Sequence, residues 1–294
     1  MPPSGTVVIT SANGATASLL IPRLKEKGYH TIGLIRKPAP IGADEIITDW
    51  MNAPAAKTAL AHADYIIHLS GDANARNKSG YRESNYSTTK LVADHAGKNK
   101  SQRIIYLSYA NAAARQKNLY LRYKGEAEDL LLRTGKEVVI FRCPVIIDAP
   151  GKASKMDVLF LSQKGRSVKT IGNGEQKMHP VYRGDVVNAL LASLETGSPG
   201  IYELSGPEEI TINGFIRLVN QDPSVKITHI PAWLAVILSR FIPDLSPTFV
   251  DLMLHHSDSA YSPDTYREFG ITPTSLTSQW SRTPPRSSRE LSGT

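Results

Sequence analysis

An apolar, β-branched run that ends in small residues and passes at once into a helical pattern constrains this chain more than any other feature. It reads Val7-Val-Ile-Thr-Ser-Ala-Asn-Gly-Ala-Thr-Ala17, and Leu19, Leu20 and Leu24 follow at helical spacing. A strand, a tight loop and a helix N-terminus in that order offer backbone N–H groups and the positive end of a helix dipole to a pyrophosphate. Ser11, Gly14 and Ala17 stand at the three places of a G-x-x-G-x-x-G spacing. Serine and alanine are the next smallest residues, so close backbone approach survives. An ordinary βα turn shares these features, and the rest of the chain has to separate the two readings.

The first half alternates strand and helix signals. Strands are predicted at Val7–Thr10, His30–Ile35, Glu45–Thr48, Tyr65–Leu69, Arg103–Leu107 and Val138–Phe141. Helices are predicted at Ser18–Lys27, Ala55–Ala61, Asn85–Ala96 and Tyr120–Arg133, with Pro22 as a bend in the first. Alternation of this kind implies parallel strands with helices on both faces, and continuous Val/Ile/Leu runs suit strands covered on both sides. The expected fold is α/β, a Rossmann-type doubly wound parallel sheet with a small C-terminal helical substrate lobe. Residues 1–150 read as the dinucleotide-binding core and 151–281 as sheet completion plus the lobe. Residues 282–294, rich in Pro and Ser, read as a disordered tail. Within the second part, Gly151–Gly174 reads as a basic loop with an apolar patch at Val158–Leu161. Asp185–Leu194 reads as a helix, Ile201–Leu204 as a strand, Thr211 as a helix start and Ile230–Ile242 as an apolar helical hairpin.

Several function classes recede on composition. The longest apolar run, Trp233–Leu238, is too short to span a bilayer. Met1-Pro-Pro-Ser-Gly5 has neither a charged region nor an apolar signal core, which predicts a protein that is not exported. The single cysteine, Cys143, lies in an apolar run and fits an inert thiol in a reducing compartment, so a cytoplasmic location is expected. The net charge of +7 is not interleaved with aromatics as a nucleic-acid surface requires. Lys98, Lys100 and Arg103 read as a solvated loop, and the excess charge suits an anionic cofactor or substrate. His255 and His256 near Asp258 lack a third convergent ligand, so no metal is expected. His68 reads as a core residue.

Further segments make the phosphate-loop signal specific. Ala63-Asp-Tyr-Ile-Ile-His-Leu-Ser-Gly71 resembles the D-x-V-x-H-L-A-G strand of short-chain dehydrogenase/reductase proteins, and Ile104-Ile-Tyr-Leu-Ser108 their next strand. Tyr120-Leu-Arg-Tyr-Lys124, with Glu128 trailing, matches their Y-x-x-x-K helix. Phe141-Arg-Cys-Pro144 resembles the R-x-P strand, and His179-Pro-Val-Tyr-Arg-Gly-Asp185 the H-P-V-x-V-x-D segment of the extended and atypical branches. The pattern is similar to the atypical group that includes the NAD(P)H-binding accessory subunit of respiratory complex I, and it covers residues 6–275.

The Y-x-x-x-K spacing has its own chemistry. Residues i and i+4 share a helix face, so an ammonium at Lys124 beside the Tyr120 phenol would lower that phenol's pKa toward neutrality. Tyr120 could then exchange a proton with a carbonyl or alcohol while hydride moves to or from nicotinamide. The resemblance implies Tyr120, Lys124 and Ser108 as catalytic residues, with Lys124 also on the ribose. Tyr109 follows Ser108 where active members carry a second hydroxyl, so either Ser108 still serves, or Tyr109 donates its phenol to the substrate, or the site is weak or dead.

The implied cofactor contacts are Thr10, Ser11, Asn13, Gly14, Ala15 and Thr16 at the phosphates. Asp49 and Trp50 would meet the adenine, Leu69, Ser70 and Gly71 the adenosine and phosphate side, and Pro144, Val145 and Ile146 the nicotinamide face. The second strand ends Leu34-Ile-Arg36-Lys37 without a carboxylate, which favours NADP(H), with NAD the alternative. His179 and Tyr182 would bound the substrate pocket, with Asp185 beside them. The expected function is an NADP(H)-dependent oxidoreductase acting on a small carbonyl or alcohol. The alternatives are a nucleotide-sugar epimerase or dehydratase with bound NAD, and a non-catalytic NAD(P)H-binding assembly subunit or redox sensor. Helices of this family pair into dimers, so a homodimer is expected.

Overall fold

A computed structural model describes residues 5–97, 102–148, 167–242, 245–255 and 259–281, the side chains of Trp280 and Ser281 excepted. The predicted tail 282–294, the patch Val158–Leu161, the N-terminal Met1–Ser4, and Lys98, Lys100, His256 and Asp258 lie outside the described residues.

The chain begins with β1 (Thr6–Thr10), α1 (Ala15–Glu26), β2 (His30–Leu34), β3 (Glu45–Ile47), α2 (Pro54–His62) and β4 (Tyr65–His68). It continues with α3 (Lys78–Arg82), a π-helical turn over Glu83–Ser87, α4 (Thr88–His95), β5 (Arg103–Tyr109), α5 (Leu119–Leu132) and β6 (Glu137–Cys143). The short strands β7 (Ile146–Ile147), β8 (Val168–Ile171), β9 (Lys177–Met178) and β10 (Val181–Tyr182) precede α6 (Arg183–Ala192) and β11 (Gly200–Glu203). The lobe then adds β12 (Ile210–Thr211), α7 (Ile212–Asn220), β13 (Ile227–Ile230), α8 (Ala232–Leu238) and α9 (Pro247–His255), followed by α10 (Pro263–Glu268) and α11 (Leu276–Ser281).

Seven parallel strands form the main sheet in the order β11-β6-β5-β4-β1-β2-β3. Alternate residues of each strand serve opposite layers. Val7 and Ile9 of β1 pack with Leu20, Leu24 and Leu190 from α1 and α6, whereas Val8 packs with Leu60, Val92 and Leu131 from α2, α4 and α5. This is the Rossmann-type doubly wound arrangement. Strand order reverses between β1 and β4, so their carboxyl ends, Ser11 and Leu69–Gly71, flank the crevice where such sheets hold ligands. A separate apolar cluster around Met178, Tyr182, Ile212 and Phe215 supports the lobe.

Some predicted elements shift. The first helix starts at Ala15 rather than Ser18, because Gly14 caps it, and it runs through Pro22. The helix predicted at Asn85–Ala96 is preceded by α3 and broken by the π-helical turn, after Asn77 caps α3 by accepting the Gly80 N–H at 2.8 Å. Part of the predicted loop Gly151–Gly174 is the strand β8, which pairs with β13. The predicted hairpin Ile230–Ile242 begins as the end of β13 and holds one helix, α8, because Pro231 caps it.

Candidate functional site

The phosphate loop is built from the end of β1. Ser11 adopts a left-handed φ of 50°, the conformation a glycine would take at this first place of the motif. Gly14 donates its N–H to the Ser11 carbonyl at 2.9 Å, and a Cβ there would sit 3.1 Å from that oxygen. The leading amides of α1 have no side-chain cap, so they can face an anion. Asn13 on the loop and Ala15 at the start of α1 are exposed.

Thr10 is buried, and its hydroxyl is committed inward. It accepts from the Leu69 and Ser70 N–H groups at 3.0 and 3.2 Å and contacts His68 Nδ1 at 2.8 Å. It therefore fixes the β4 loop to the β1 loop, and Ser11 Oγ reaches Ser70 Oγ at 3.0 Å across the same gap. Thr16 accepts from Arg183 Nη1 at 2.8 Å, and Arg183 makes a two-pronged ion pair with Asp148 at 2.6 and 3.0 Å. The sequence reading passed over Arg183, because only the fold brings it to the first turn of α1.

On the adenosine side, a small cleft is lined by Ser11, Arg36, Trp50, Ser70, Gly71 and Glu83, among others. Arg36 and Lys37 are exposed and make no ion pair among the described residues. Trp50 is 1% exposed and packs with Leu34 and Leu60, so its ring belongs to the core. Asp49 takes a left-handed φ of 47° and accepts from Asn52 at 3.0 Å. Glu83 lies on the π-helical turn, a feature with no simple sequence signature, and adds a carboxylate to the cleft that holds Arg36.

The reactive side is a cavity of about 230 Å³. Tyr120, Lys124, Gly71 and Pro144–Ile146 line it, with Tyr109, Phe249 and Met253 also in its wall. Asn118 caps α5, accepting from the Tyr120 and Leu121 N–H groups, and donates to Asp251 at 2.7 Å, which ties the helix to α9. Lys124 Nζ donates to the carbonyls of Leu107 and Ser70 at 2.9 and 3.3 Å and lies 4.6 Å above the Tyr106 ring. A Cβ on Gly71 would stand 2.8 Å from that Nζ, so glycine lets the β4 loop approach the lysine. Asn85, held by Tyr81 and Asp72, closes the other side of this loop.

The expected lowering of the Tyr120 pKa is not found. Burial, with the neighbouring Tyr109 and Tyr106, raises it well above the ordinary phenol value. Burial also lowers Lys124 to about 7, against the attraction of Glu128. The physical reason is that the Lys124 ammonium is directed at two carbonyls and a ring face, while both side chains are removed from water. Tyr109 packs edge-on against Tyr120 with centroids 5.3 Å apart, and burial raises its pKa too.

Ser108 departs from its expected role. Its hydroxyl donates to Glu128 Oε1 at 2.5 Å, and Glu128 is clamped by Arg142 at 2.6 and 3.1 Å. Ser108 is in the cavity wall, but its Oγ serves this buried network. His179 and Tyr182 do not line the cavity. Tyr182 belongs to the lobe's apolar cluster, and Asp185 accepts from the Thr274 N–H and hydroxyl at 2.7 and 2.6 Å. His68, predicted as core, is fully buried.

A family model described as NAD(P)H-binding matches residues 11–196. A curated relative, NADH dehydrogenase [ubiquinone] 1 alpha subcomplex subunit 9, mitochondrial, from Arabidopsis thaliana, is 27% identical over 170 residues, which is 55% of this chain. The matched segment spans 41% of that relative's length. Among solved structures, MoeE5 in complex with UDP-glucuronic acid and NAD superposes with a TM-score of 0.75 at 18% identity, covering 94% of this chain and 97% of the other. The UDP-glucuronic acid 4-epimerase from Bacillus cereus in complex with NAD gives 0.69 at 16% identity, covering 94% and 96%. The Helicobacter pylori ADP-L-glycero-D-manno-heptose-6-epimerase gives 0.67 at 19%, covering 95% and 94%. These structural likenesses establish the fold.

Proposed function

The chain belongs to the NAD(P)H-binding family, and on that premise we propose that it is an NADP(H)-dependent oxidoreductase that reduces a carbonyl substrate to the alcohol. The observation that carries this reading is the placement of Tyr120 and Lys124 in one cavity wall with Gly71 and Pro144–Ile146. The local structure fits a dinucleotide. The α1 amides lack a side-chain cap, Gly71 gives backbone access beside Lys124, and Arg36 stands unpaired among the described residues at the adenosine cleft. Arg36 and Lys37 would take a 2′-phosphate, which supports NADP(H) over NAD.

When bound, the reduced nicotinamide supplies a hydride to the carbonyl carbon. Tyr120, whose hydroxyl makes no hydrogen bond among the described residues, gives its proton to the carbonyl oxygen as the C=O π pair moves onto that oxygen. Burial keeps this phenol protonated at neutral pH, so its proton is available to the carbonyl oxygen. Lys124, beside Gly71 and held by the Leu107 and Ser70 carbonyls, would hold the ribose hydroxyls. Residues 1–150 bind the cofactor, and 151–281 complete the sheet and carry the substrate lobe. The single, buried Cys143 suits a reducing, cytoplasmic setting, and no helix among the described residues is long and apolar enough to cross a membrane.

A second reading is favoured by one observation. Ser108 is bound to Glu128, so the hydroxyl expected to polarise a carbonyl is occupied, as a non-catalytic NAD(P)H-binding assembly subunit would tolerate. The test is titration with NADPH and NADH followed by nicotinamide fluorescence, then turnover with aldehydes and with UDP-glucose. Tighter NADPH binding with aldehyde reduction is the expected result. Tight NADPH binding without any turnover favours the subunit reading, and absence of affinity for either coenzyme overturns both.

A further inference from the structure

The reactive cavity does not end at Tyr120. Its outer wall is Phe249, Leu252 and Met253 from α9. Phe249 and Met253 also line a second hollow of about 110 Å³, whose wall includes Leu245, Ile171 and Ile212. Leu245 in turn borders a third hollow beside Phe241 and Ile242, which are 78% and 43% exposed. Phe249 and Met253, four apart, share one face of α9, and Leu245, just ahead of the helix, lines both of the outer hollows.

Charges are few in the inner two hollows, whereas the outer one carries Arg76 and Arg240. In the wall of the inner two hollows the cationic side chains are Lys124, already donating to two carbonyls, and Lys169, and no carboxylate lines either one. A nucleotide diphosphate would need paired cations and polar partners along its length. The wall offers apolar surface instead.

We infer that the substrate of this site carries an elongated apolar body, an alkyl, isoprenoid or aryl chain, lying along Leu245, Phe249 and Met253 with its carbonyl at Tyr120. This rests on the carbonyl-reductase reading for the position of the carbonyl, but not for the trench itself. The outer hollow mixes Phe241 and Ile242 with Arg76, Arg240, Ser239 and Ser246, so a polar mouth gives way to apolar surface from Leu245 inward.

The experiment has two arms on the full chain. In the first, NADPH-dependent reduction is measured for acetaldehyde, butanal, octanal and dodecanal, and for UDP-glucuronic acid. Each methylene buried in the trench is expected to raise kcat/KM about three- to fourfold until the trench is filled. In the second, fatty alcohols of the same lengths displace the dye Nile red, with no need for turnover. Displacement should strengthen with chain length, and Phe249→Asp and Met253→Lys should each weaken octanol binding at least tenfold. A flat response to chain length in the displacement arm, or UDP-glucuronic acid binding more tightly than dodecanol, overturns the trench. Chain-length-dependent displacement without reduction of any aldehyde keeps the trench and removes the reductase reading.

Discussion

Lys124 holds its ammonium 4.6 Å above the ring of Tyr106 while donating to the Leu107 carbonyl at 2.9 Å. The ring face and the two carbonyls replace part of the hydration that burial removes, but not all of it, and the pKa falls from 10.5 to about 7. Between those values the unfolded chain binds a proton that the folded chain does not. Stability therefore gains from Lys124 deprotonation as pH rises through this window, and burial of the charge costs most below about pH 7. Thermal melts across the window should show wild type gaining on Lys124→Met as pH rises. The opposite slope would mean that the ammonium is better solvated in the fold than in water.

Tyr120 should matter to chemistry and little to cofactor binding. Replacement by Phe removes the proton donor but keeps the ring against Tyr109 and the α5 cap at Asn118. Aldehyde reduction should fall about a hundred- to ten-thousandfold, the range for a positioned acid. NADPH affinity, followed by nicotinamide fluorescence, should not change. Retained turnover would assign the proton to another group.

Arg36 and Glu83 line one cleft, and their opposite charges should pull cofactor choice in opposite directions. Arg36→Ala should weaken NADPH binding by about 1.5–3 kcal/mol, the scale of a charge-assisted hydrogen bond, and leave NADH nearly unaffected. Glu83→Gln should tighten NADPH, because it removes a like charge from beside the 2′-phosphate. Competitive titrations of both coenzymes against both variants decide this. Equal losses for NADPH and NADH with Arg36→Ala would place the arginine on the adenine ring.

Arg183 reaches the phosphate-loop side through its contact with Thr16 on the first turn of α1. Asp148 orients its guanidinium by a two-pronged pair. Arg183→Gln should weaken both coenzymes by the same factor, since both carry the pyrophosphate. That equal loss, read by isothermal calorimetry, separates it from the selective loss expected at Arg36. Asp148→Asn should act in the same direction but less, because it frees the arginine without removing its charge.

What was legible in the sequence was periodicity and local order. Val7–Thr10 running into Gly14 announced the strand, loop and helix, and Tyr120–Lys124 announced a shared helix face. The position of Ser108 in the cavity wall was also legible, but the direction of its hydroxyl was not. That direction depends on Glu128 and Arg142, which come from two other elements. Arg183 and Glu83 were missed for the same reason: one reaches the phosphate loop only through folding, the other only through a π-helical turn. His179 and Tyr182 stood in a recognisable segment, yet Tyr182 packs into the lobe's own apolar cluster, a contact no motif encodes.

His68 ties stability to the shape of the cofactor loop. The Thr10 hydroxyl already accepts from the Leu69 and Ser70 N–H groups, so its own hydrogen is left for His68 Nδ1. That assigns the neutral Nε2–H tautomer, which donates to Thr89 Oγ1 at 2.9 Å, and Thr89 donates onward to the Asn85 carbonyl. Protonation at Nδ1 would set two donors against each other in a fully buried site, and the pKa falls from 6.5 to about 3, with burial as the main cause. Within that window the unfolded chain takes up a proton that the folded chain refuses. Stability should therefore fall as pH drops from 6.5 toward 3. The same hydroxyl pins Leu69 and Ser70, so coenzyme affinity should weaken over the same range. Thr10→Val should weaken coenzyme binding at neutral pH, because it leaves the Leu69 and Ser70 N–H groups and His68 Nδ1 without their partner. Urea melts and NADPH titrations at stepped pH test both parts, and a wild type whose stability stays flat through this window would refute the neutral, hydrogen-bonded histidine.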